Sequence, residues 1–260
     1  MRALSLPGCG CRGAFQFAVL ARLVAAGERF DVVGGASSGS IAGASYVAGK
    51  SAEGPDIYRT LASTRLFSTQ WLASERSPFG MSRIVREALA RHIPEADIES
   101  GQAELLVSTT RLSALARGLT RRQPSVSSGA VAIHSSRTRA AFHDIILASC
   151  TFPPFYARLP RIDGEIHVDG GASDNTLIGE LVRRGATHVT VVTPHPAGTV
   201  YEGLFRPLAA PSVPPHVELR VIAPLRPIHL GSFDFDRHRL EAALAMPHVS
   251  VTRPASARAS

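Results

Sequence analysis

A serine in a glycine-flanked turn is the first feature of this sequence that could do chemistry. Residues 35–39 read Gly-Ala-Ser-Ser-Gly, between an apolar run typical of a strand and a helix of small residues. In this G-x-S-x-G setting a serine occupies a sharp elbow with its hydroxyl exposed above a sheet. Gly35 and Gly39 have a steric role, because side chains there would collide across the strained turn. We therefore expect Ser37, and not a neighbouring serine, to be a nucleophile.

A second glycine-rich turn lies near the N-terminus. The run Gly8-Cys9-Gly10-Cys11-Arg12-Gly13 follows a short apolar strand and opens a helix, in a G-x-G-x-x-G pattern. Alone, this pattern indicates a dinucleotide site with Asp31 as the ribose-binding acid, or simply a tight turn. Asp31 stands at the start of a strand, whereas a ribose-binding acid belongs at a strand's carboxyl end. Amides at a helix N-terminus can also stabilise an oxyanion.

A nucleophilic serine needs a base, and ten histidines are available. His134, His167 and His188 lie within strand patterns, which favours a structural role with the imidazole partly buried and hydrogen-bonded. His195, between two prolines after a strand, is the strongest histidine candidate.

An acid is the other candidate for the base. Asp169 ends a strand and is followed by Gly170 and Gly171, which let the backbone turn closely past a site. A helix cap or turn is the alternative role for Asp169. Asp163, in contrast, is sufficiently explained as a hairpin residue before Gly164.

The three motifs together resemble those of the patatin-like phospholipases. That family has a glycine loop with an arginine, a G-x-S-x-G elbow and a downstream D-G-G in this order, and three ordered motifs are far more specific than one. The Ala148-Ser149 pair, the segment 152–155 and Asn175 also look like the family's pattern. The resemblance covers about residues 2–195.

The resemblance implies a fold and a mechanism. The fold is an α/β three-layer sandwich with a mostly parallel central sheet flanked by helices. Ser37 would attack an acyl carbonyl, and Asp169 would be the general base of a Ser-Asp dyad that has no histidine. The implied reaction needs no metal and no organic cofactor.

The glycine loop carries the implied oxyanion site. Its backbone amides, chiefly those of Gly10 and Cys11, would bind the oxyanion, and Arg12 would add positive charge nearby. Cys9 and Cys11 stand where the family usually has glycine and a small residue, and Leu177 replaces a common proline. We expect no zinc at the two cysteines, because no histidine or further cysteine is near them in sequence.

The implied activity is that of a lipid acyl hydrolase of the phospholipase A type, acting through an acyl-enzyme on phospholipid or a related acyl ester. A soluble carboxylesterase or thioesterase of the same fold is one alternative. A patatin-like domain that binds lipid or a protein partner without turnover is another, although the intact serine, aspartate and glycine loop argue against it.

The pattern of elements fits an α/β sheet. Two strand, loop and helix units open the chain, and residues 51–100 carry two amphipathic helices without a strand signal, which predicts a helical insertion. Further strands are expected at 104–109, 130–134, 159–162, 165–168, 188–192 and 217–222, and a last helix at about 237–245. The stretch between 109 and 130 reads as an exposed loop.

Length and composition set the broad class. A chain of 260 residues that is 45% hydrophobic can bury one sizeable core, so we expect a single domain over 1–250 and a flexible tail at 251–260. Three cysteines make no disulfide framework, which favours a reducing, cytoplasmic location. Prolines and glycines interrupt any signal-peptide pattern, and no apolar run is long enough to span a bilayer.

The formal charge is +7. Its basic residues are scattered and form no run with interleaved aromatics, so nucleic acid is not an expected partner. The expected partner is a lipid or acyl-ester substrate, with weak peripheral attraction to an anionic membrane surface.

Overall fold

One sheet organises the protein. The computed structural model describes residues 1–62, 66–75, 78–114, 116, 130–153, 155–156, 158–201, 203, 207–208 and 211–255. Nine strands within these residues form the sheet, in the order β11-β10-β7-β1-β2-β3-β6-β5 with β4 also paired to β3. Their bounds are β1 Arg2–Leu6, β2 Val32–Gly35, β3 Glu104–Arg111, β4 Val131–Ser135, β5 Arg161–Ile162, β6 Glu165–Asp169, β7 His188–Val192, β10 Glu218–Pro224 and β11 His248–Arg253. A separate ribbon pairs β8 (Val200–Tyr201) with β9 (Pro207–Leu208).

The centre of the sheet is parallel, as predicted. Strands β10, β7, β1, β2 and β3 run in one direction, and antiparallel pairs lie toward both edges. Parallel strands bring their carboxyl ends to the same edge of a sheet, where the following loops meet. The glycine loop follows β1 and the serine elbow follows β2, so both motifs lie at this edge.

Helices cover both faces of the sheet and complete the predicted three layers. The helices are α1 Gly13–Ala25, α2 Ser38–Val47, α3 Gly54–Ala62, α4 Trp71–Glu75, α5 Met81–His92, α6 Glu95–Glu99, α7 Phe142–Ser149, α8 Ile178–Arg183 and α9 Arg237–Leu244. Alternate residues of β1 and β2 enter opposite cores, as the period of a strand requires. Leu4 and Val33 pack with the larger helical layer, whereas Ala3 and Val32 pack with α8.

The helical insertion at 51–100 is confirmed. It contains α3, α4, α5 and α6, and its described residues add only one isolated bridge, between Phe67 and Phe79. Within the described residues, no helix is long and apolar enough to cross a membrane.

Some element boundaries differ from the predictions. The second strand, expected at 30–33, is observed at Val32–Gly35, because Ser5 and Leu6 pair with Gly34 and Gly35 and carry the strand up to the elbow. Helices α7 and α8 were not predicted. The expected loop residues 117–129, Pro154 in the segment 152–155, and 256–260 lie outside the described residues.

Three residues of the predicted tail belong to the sheet. Val251, Thr252 and Arg253 belong to β11 and pair antiparallel with Val221, Arg220 and Leu219 of β10. Helix α9 turns the chain back toward β10, and the alternating β-branched residues of 248–252 favour a strand once that neighbour is present.

The elbow glycines generate a stability prediction. A Cβ at Gly39 would lie 1.8 Å from the carbonyl oxygen of Leu6, whereas a Cβ at Gly179, also helical, would meet nothing within 4 Å. Gly39→Ala should lower the free energy of unfolding by more than about 3 kcal/mol, because backbone cannot move aside cheaply. Gly179→Ala should raise it by up to about 1 kcal/mol through helix propensity. Urea denaturation of both variants measures the difference, and equal stabilities would contradict the close approach.

Candidate active site

Ser37 occupies a strained turn between β2 and α2. Its backbone has φ 50° and ψ −126°, and positive φ is rare for a residue other than glycine. Such strain persists only where surrounding structure enforces it. The peptide N–H of Ser37 donates to the Ser149 hydroxyl at 2.8 Å, and the Ser37 carbonyl accepts from the Ser40 hydroxyl at 2.6 Å. These bonds fix the elbow from both sides.

The two flanking glycines have the steric role expected of them. A Cβ at Gly35 would lie 2.5 Å from the carbonyl oxygen of Gly39, and a Cβ at Gly39 would meet Leu6. Real Cβ atoms do not approach backbone this closely, so larger residues would open the turn. The elbow can therefore pack against β1 only with glycine at both positions.

Asp169 ends β6 at the same level as the elbow. Gly35 pairs with Val107 of β3, and Asp169 pairs with Thr109, two residues farther along the same strand. The last residue of the antiparallel strand β6 therefore lies beside Ser37. The Ser37 side chain lies close enough to the Asp169 carboxyl to lower its pKa, and the Gly171 N–H donates to Asp169 Oδ1 at 2.8 Å.

The backbone around Asp169 is also fixed. Its N–H donates to the Thr151 carbonyl at 2.8 Å, and its carbonyl accepts from the Thr110 hydroxyl at 2.7 Å. A Cβ at Gly170 would lie 2.0 Å from the Ser108 carbonyl oxygen, so the glycine after the acid is required by packing.

Burial raises the pKa of the Asp169 carboxyl. Part of the residue faces a cavity, but protein surrounds the carboxyl and desolvation raises its pKa from 3.8 to about 6, against the lowering effect of the nearby Ser37 side chain and the Gly171 N–H. A carboxylate with this pKa is a better proton acceptor than an exposed aspartate and is still ionised at neutral pH.

The glycine loop packs directly on the elbow. A Cβ at Gly8 would lie 2.7 Å from the Cβ of Ser37. Asn175 binds both backbone groups of Gly8, because its Oδ1 accepts from the Gly8 N–H at 2.8 Å and its Nδ2 donates to the Gly8 carbonyl at 3.3 Å. The Cys9 N–H donates to the Ser38 hydroxyl at 3.1 Å. The loop, the elbow and the segment after Asp169 thus form one hydrogen-bonded unit.

The amides expected to bind an oxyanion differ in their surroundings. Gly10, at φ 60°, donates to no acceptor among the described residues. The Cys11 N–H, in contrast, donates to the Ser232 carbonyl at 2.9 Å, so it would have to leave this acceptor to bind an oxyanion. The loop between β10 and α9, which carries Ser232, closes over this amide and was not predicted to reach the site.

Arg12 lies in the same cavity. Its Nη2 donates to the Ser232 hydroxyl at 3.2 Å, and its buried Nε has no hydrogen-bond partner in the described part of the chain. Within that part, it forms no ion pair with a carboxylate. Gly13, at the start of α1, would place a Cβ 2.5 Å from the Tyr58 hydroxyl and therefore fits only as glycine.

A cavity of about 430 Å³ joins these groups. Ser37 and Asp169 line it together with the glycine loop, and its volume lies in the range of small-molecule sites. The rest of the wall is largely apolar and includes Ile41, Met81, Val85, Phe152, Tyr156 and Phe233. An apolar wall beside a nucleophile suits an acyl chain.

Comparison with known proteins identifies the family of the chain. The sequence model of the patatin-like phospholipase family matches residues 4–182, which include the elbow, the glycine loop and Asp169. The chain belongs to the patatin-like phospholipase family. No curated protein sequence matches it significantly. Among solved structures, the crystal structure of VipD from Legionella pneumophila is similar at 13% identity and a TM-score of 0.43, and the match covers 74% of this chain and 49% of that chain.

Three histidines of this patatin-like protein were candidates for a structural or a catalytic role. His134 and His167 are buried and both contact the Thr109 hydroxyl, at 2.8 and 2.7 Å, as structural histidines do. His195 lines the cavity and packs against Tyr201, with ring centroids 5.0 Å apart. Burial, followed by the nearby Arg12 charge, lowers the pKa of His195 to about 4.

The cysteines of the patatin-like site are free thiols. Burial raises the pKa of Cys9 to about 11 and that of Cys11 to about 12. Both are therefore protonated at neutral pH and weakly nucleophilic. Cys150 is also buried, and desolvation raises the pKa of its thiol well above the usual value.

The sequence did not indicate Ser149 and Ser232 as residues that hold the site. Ser149 was noted only as part of a family pattern, and nothing in its own neighbourhood predicts a bond to the elbow 112 residues away. Ser232 follows a glycine in a proline-containing loop, and this pattern does not predict which part of the fold the loop contacts.

The raised pKa of Asp169 predicts an effect on stability. Below about pH 4 this carboxyl is protonated whether the chain is folded or not, and above about pH 6 it is ionised in both states, so folding loses stability as pH rises between these values. Asp169→Asn should therefore raise the free energy of unfolding by about 3 kcal/mol near pH 8 and change it little near pH 4.

Asp163→Asn is the matched control for that measurement. Asp163 is exposed, and its hydrogen bond from Arg139 lowers its pKa, so its ionised form favours the folded state above its usual titration range. The control should thus be no more stable than the wild type near pH 8. Urea denaturation at both pH values measures the free energies of unfolding. If Asp169→Asn is less stable than the wild type near pH 8, the inference that burial of the ionised carboxyl destabilises the fold is wrong.

Proposed function

We propose that this protein is a serine acyl-ester hydrolase, of the phospholipase or lipid acyl hydrolase type, that works through a Ser37–Asp169 dyad and an acyl-enzyme. Membership of the patatin-like phospholipase family supports the reaction class. The observation that carries the residue assignment is that the strained Ser37 lies beside Asp169 on the same cavity, and that desolvation raises the pKa of this carboxyl to about 6.

The first step acylates Ser37. The Asp169 carboxylate takes the hydroxyl proton as Ser37 Oγ bonds to the carbonyl carbon, and the carbonyl electron pair moves to its oxygen. The tetrahedral intermediate then collapses, the ester C–O bond breaks, and protonated Asp169 returns its proton to the departing alkoxide. No histidine is needed, because Asp169 itself contacts Ser37.

Stabilisation of the oxyanion falls to the glycine loop. A carboxylate is a modest base toward a hydroxyl, so donors that already point at the developing charge must lower much of the barrier. The Gly10 amide is the first candidate, since it has no acceptor among the described residues. The Cys9 amide adjoins it and would exchange the Ser38 hydroxyl for the oxyanion. Arg12 supplies a positive field on the same wall of the cavity.

The second step releases the acid. Water enters after the alcohol leaves, Asp169 removes a proton from it, and the resulting attack on the acyl carbon regenerates an oxyanion on the same donors. Collapse breaks the bond to Ser37 Oγ, which recovers the proton held by Asp169. The products are a carboxylic acid and the free enzyme, and no metal or organic cofactor enters the scheme.

The substrate class follows from the cavity wall. Its apolar part can receive a long acyl chain, which favours a lipid ester over a small soluble ester. The three buried free thiols fit a cytoplasmic location, where cysteines remain reduced. The net charge of +7 suits peripheral contact with an anionic membrane surface.

Substitution of the dyad tests the proposal. Ser37→Ala should reduce hydrolysis to a few per cent or less, because no neighbouring hydroxyl is in line with the loop donors. Asp169→Asn should be about as inactive, since the proton acceptor itself is lost. His195→Ala is the matched control, because it removes a cavity histidine outside the dyad, and it should retain most of the activity.

Initial rates on phospholipids, neutral glycerides and short p-nitrophenyl esters, with folding checked by circular dichroism, provide the measurement. A folded but inactive His195→Ala beside a residually active Asp169→Asn would overturn the dyad in favour of a triad. Preference for the short esters would favour a soluble esterase. Failure of the wild type to react with a fluorophosphonate probe would favour a non-catalytic binding domain.

The pKa of Asp169 also predicts the pH dependence of the rate. Because the base must be ionised, kcat/KM on a soluble ester should rise about tenfold per pH unit below about pH 6 and become constant above it. His195, whose pKa is about 4, would be neutral across this range. If His195→Ala shows the same rise of kcat/KM with pH, the titrating group is Asp169. If the rise disappears in that variant, the titrating group is His195.

A further inference from the structure

Five phenylalanine rings form a continuous line that begins at the surface of the helical insertion and ends at the cavity. The ring centroids of Phe67 and Phe79 are 5.7 Å apart, and those of Phe79 and Phe155 are 5.1 Å apart. Phe155 stacks on Phe233 at 4.1 Å, and Phe233 lies 6.1 Å from Phe152. The line joins three segments of the chain that are far apart in sequence. We call these five rings, with Trp71 and Leu72, the aromatic ridge.

The aromatic ridge connects solvent to the cavity. Phe67 is 61% exposed, Leu72 51% and Phe152 40%. Phe152 and Phe233, at the other end of the line of rings, form part of the cavity wall that also holds Ser37. A large apolar side chain left in water is unfavourable, and several adjoining ones usually mark a binding surface.

Trp71 gives this surface the character of a lipid interface. Its ring packs on the backbone of Gly80, where a Cβ would lie 2.8 Å from the indole, and the Arg83 guanidinium lies 5.4 Å from the ring centroid. Indoles beside a cation are favoured at the boundary between lipid tails and headgroups. Residues 66–73 contain no charged side chain.

We propose that the aromatic ridge docks the protein on the surface of an anionic lipid bilayer and passes an acyl chain from the bilayer into the cavity. The proposal rests on the proposed function. Its occupant is a bilayer and not a protein or a second copy, because the ridge is continuous with the cavity wall. A lipid at that position would be substrate, whereas a protein would cover the entrance. The charge of +7 favours anionic lipid over zwitterionic lipid.

Trp71 provides a direct readout, because it is the only tryptophan in the chain. The experiment uses the full chain carrying Ser37→Ala, so that binding is measured without turnover. Vesicles are phosphatidylcholine alone or an equimolar mixture with phosphatidylglycerol. With the mixed vesicles, the emission of Trp71 should shift to shorter wavelength and become less accessible to acrylamide, and the protein should co-sediment with lipid. Binding to phosphatidylcholine alone should be weaker.

A matched pair of variants tests the surface. Phe67→Ser combined with Leu72→Ser removes two exposed ridge residues that do not line the cavity, and it should weaken partitioning into mixed vesicles at least about tenfold. Val251→Ser removes an exposed apolar residue of similar exposure, 60%, from the edge strand β11 and should partition like the parent. When the ridge substitutions and Val251→Ser are each made in the protein with Ser37 intact, both variants should hydrolyse a soluble short ester at the rate of the unsubstituted protein. This rate shows that they are folded.

Three results would overturn the proposal. The first is equal partitioning of the ridge variant and its parent. The second is a parent protein that binds neither kind of vesicle, and the third is a parent protein that forms a dimer which the ridge variant does not form. If the parental sequence with Ser37 intact still hydrolyses dispersed phospholipid in the second or third case, the proposed function stands without membrane docking. If the protein with Ser37 intact binds vesicles but hydrolyses none of the esters, the proposed function is refuted and the docking surface remains supported.

Discussion

The backbone of Ser37 is held at φ 50° and ψ −126°, and the arrangement of the site depends on how that turn is enforced. Gly39 lies so close to Leu6 that only glycine fits, and Gly35 is equally crowded against Gly39. The crossing of β1 with the start of α2 thus leaves the elbow no room to relax. Because Gly8 follows β1 and lies against Ser37, the contact that strains the serine also sets the position of the glycine loop.

A second constraint is the burial of a charge. Asp169 sits where its carboxylate is poorly solvated, and the hydrogen bond from Gly171 together with the nearby Ser37 side chain only partly compensates. The acid is held there by groups from several elements, including the Thr151 carbonyl and the Thr110 hydroxyl. Under the proposed mechanism, such a site gives up folding stability for a reactive proton acceptor, and the large sheet with its parallel centre supplies the necessary core.

The helical insertion and the loop before α9 shape what can reach the dyad. Met81 and Val85 of α5 and Phe233 of the loop add apolar walls to a cavity whose floor is the elbow. Ser232 meanwhile fastens that loop to the glycine turn through the Cys11 amide. The same short segment therefore supports the oxyanion loop and carries a ring of the aromatic ridge, which couples the catalytic end of the cavity to its entrance.

The sequence alone determined the motifs, because their signals are local. Strand periodicity, the glycines of two tight turns and an acid followed by two glycines predicted an α/β sheet, the elbow, the helical insertion and the residues that the structure brings together, and the resemblance of the ordered motifs implied that the sheet is mostly parallel. Only the tertiary structure decided which groups complete the site. Ser149, Ser232 and the ridge rings come from segments remote in sequence, and their contacts depend on how loops close over the sheet. The engagement of Cys11 and the pairing of β11 were missed for the same reason, since a partner supplied by a distant segment leaves no periodic trace in the chain.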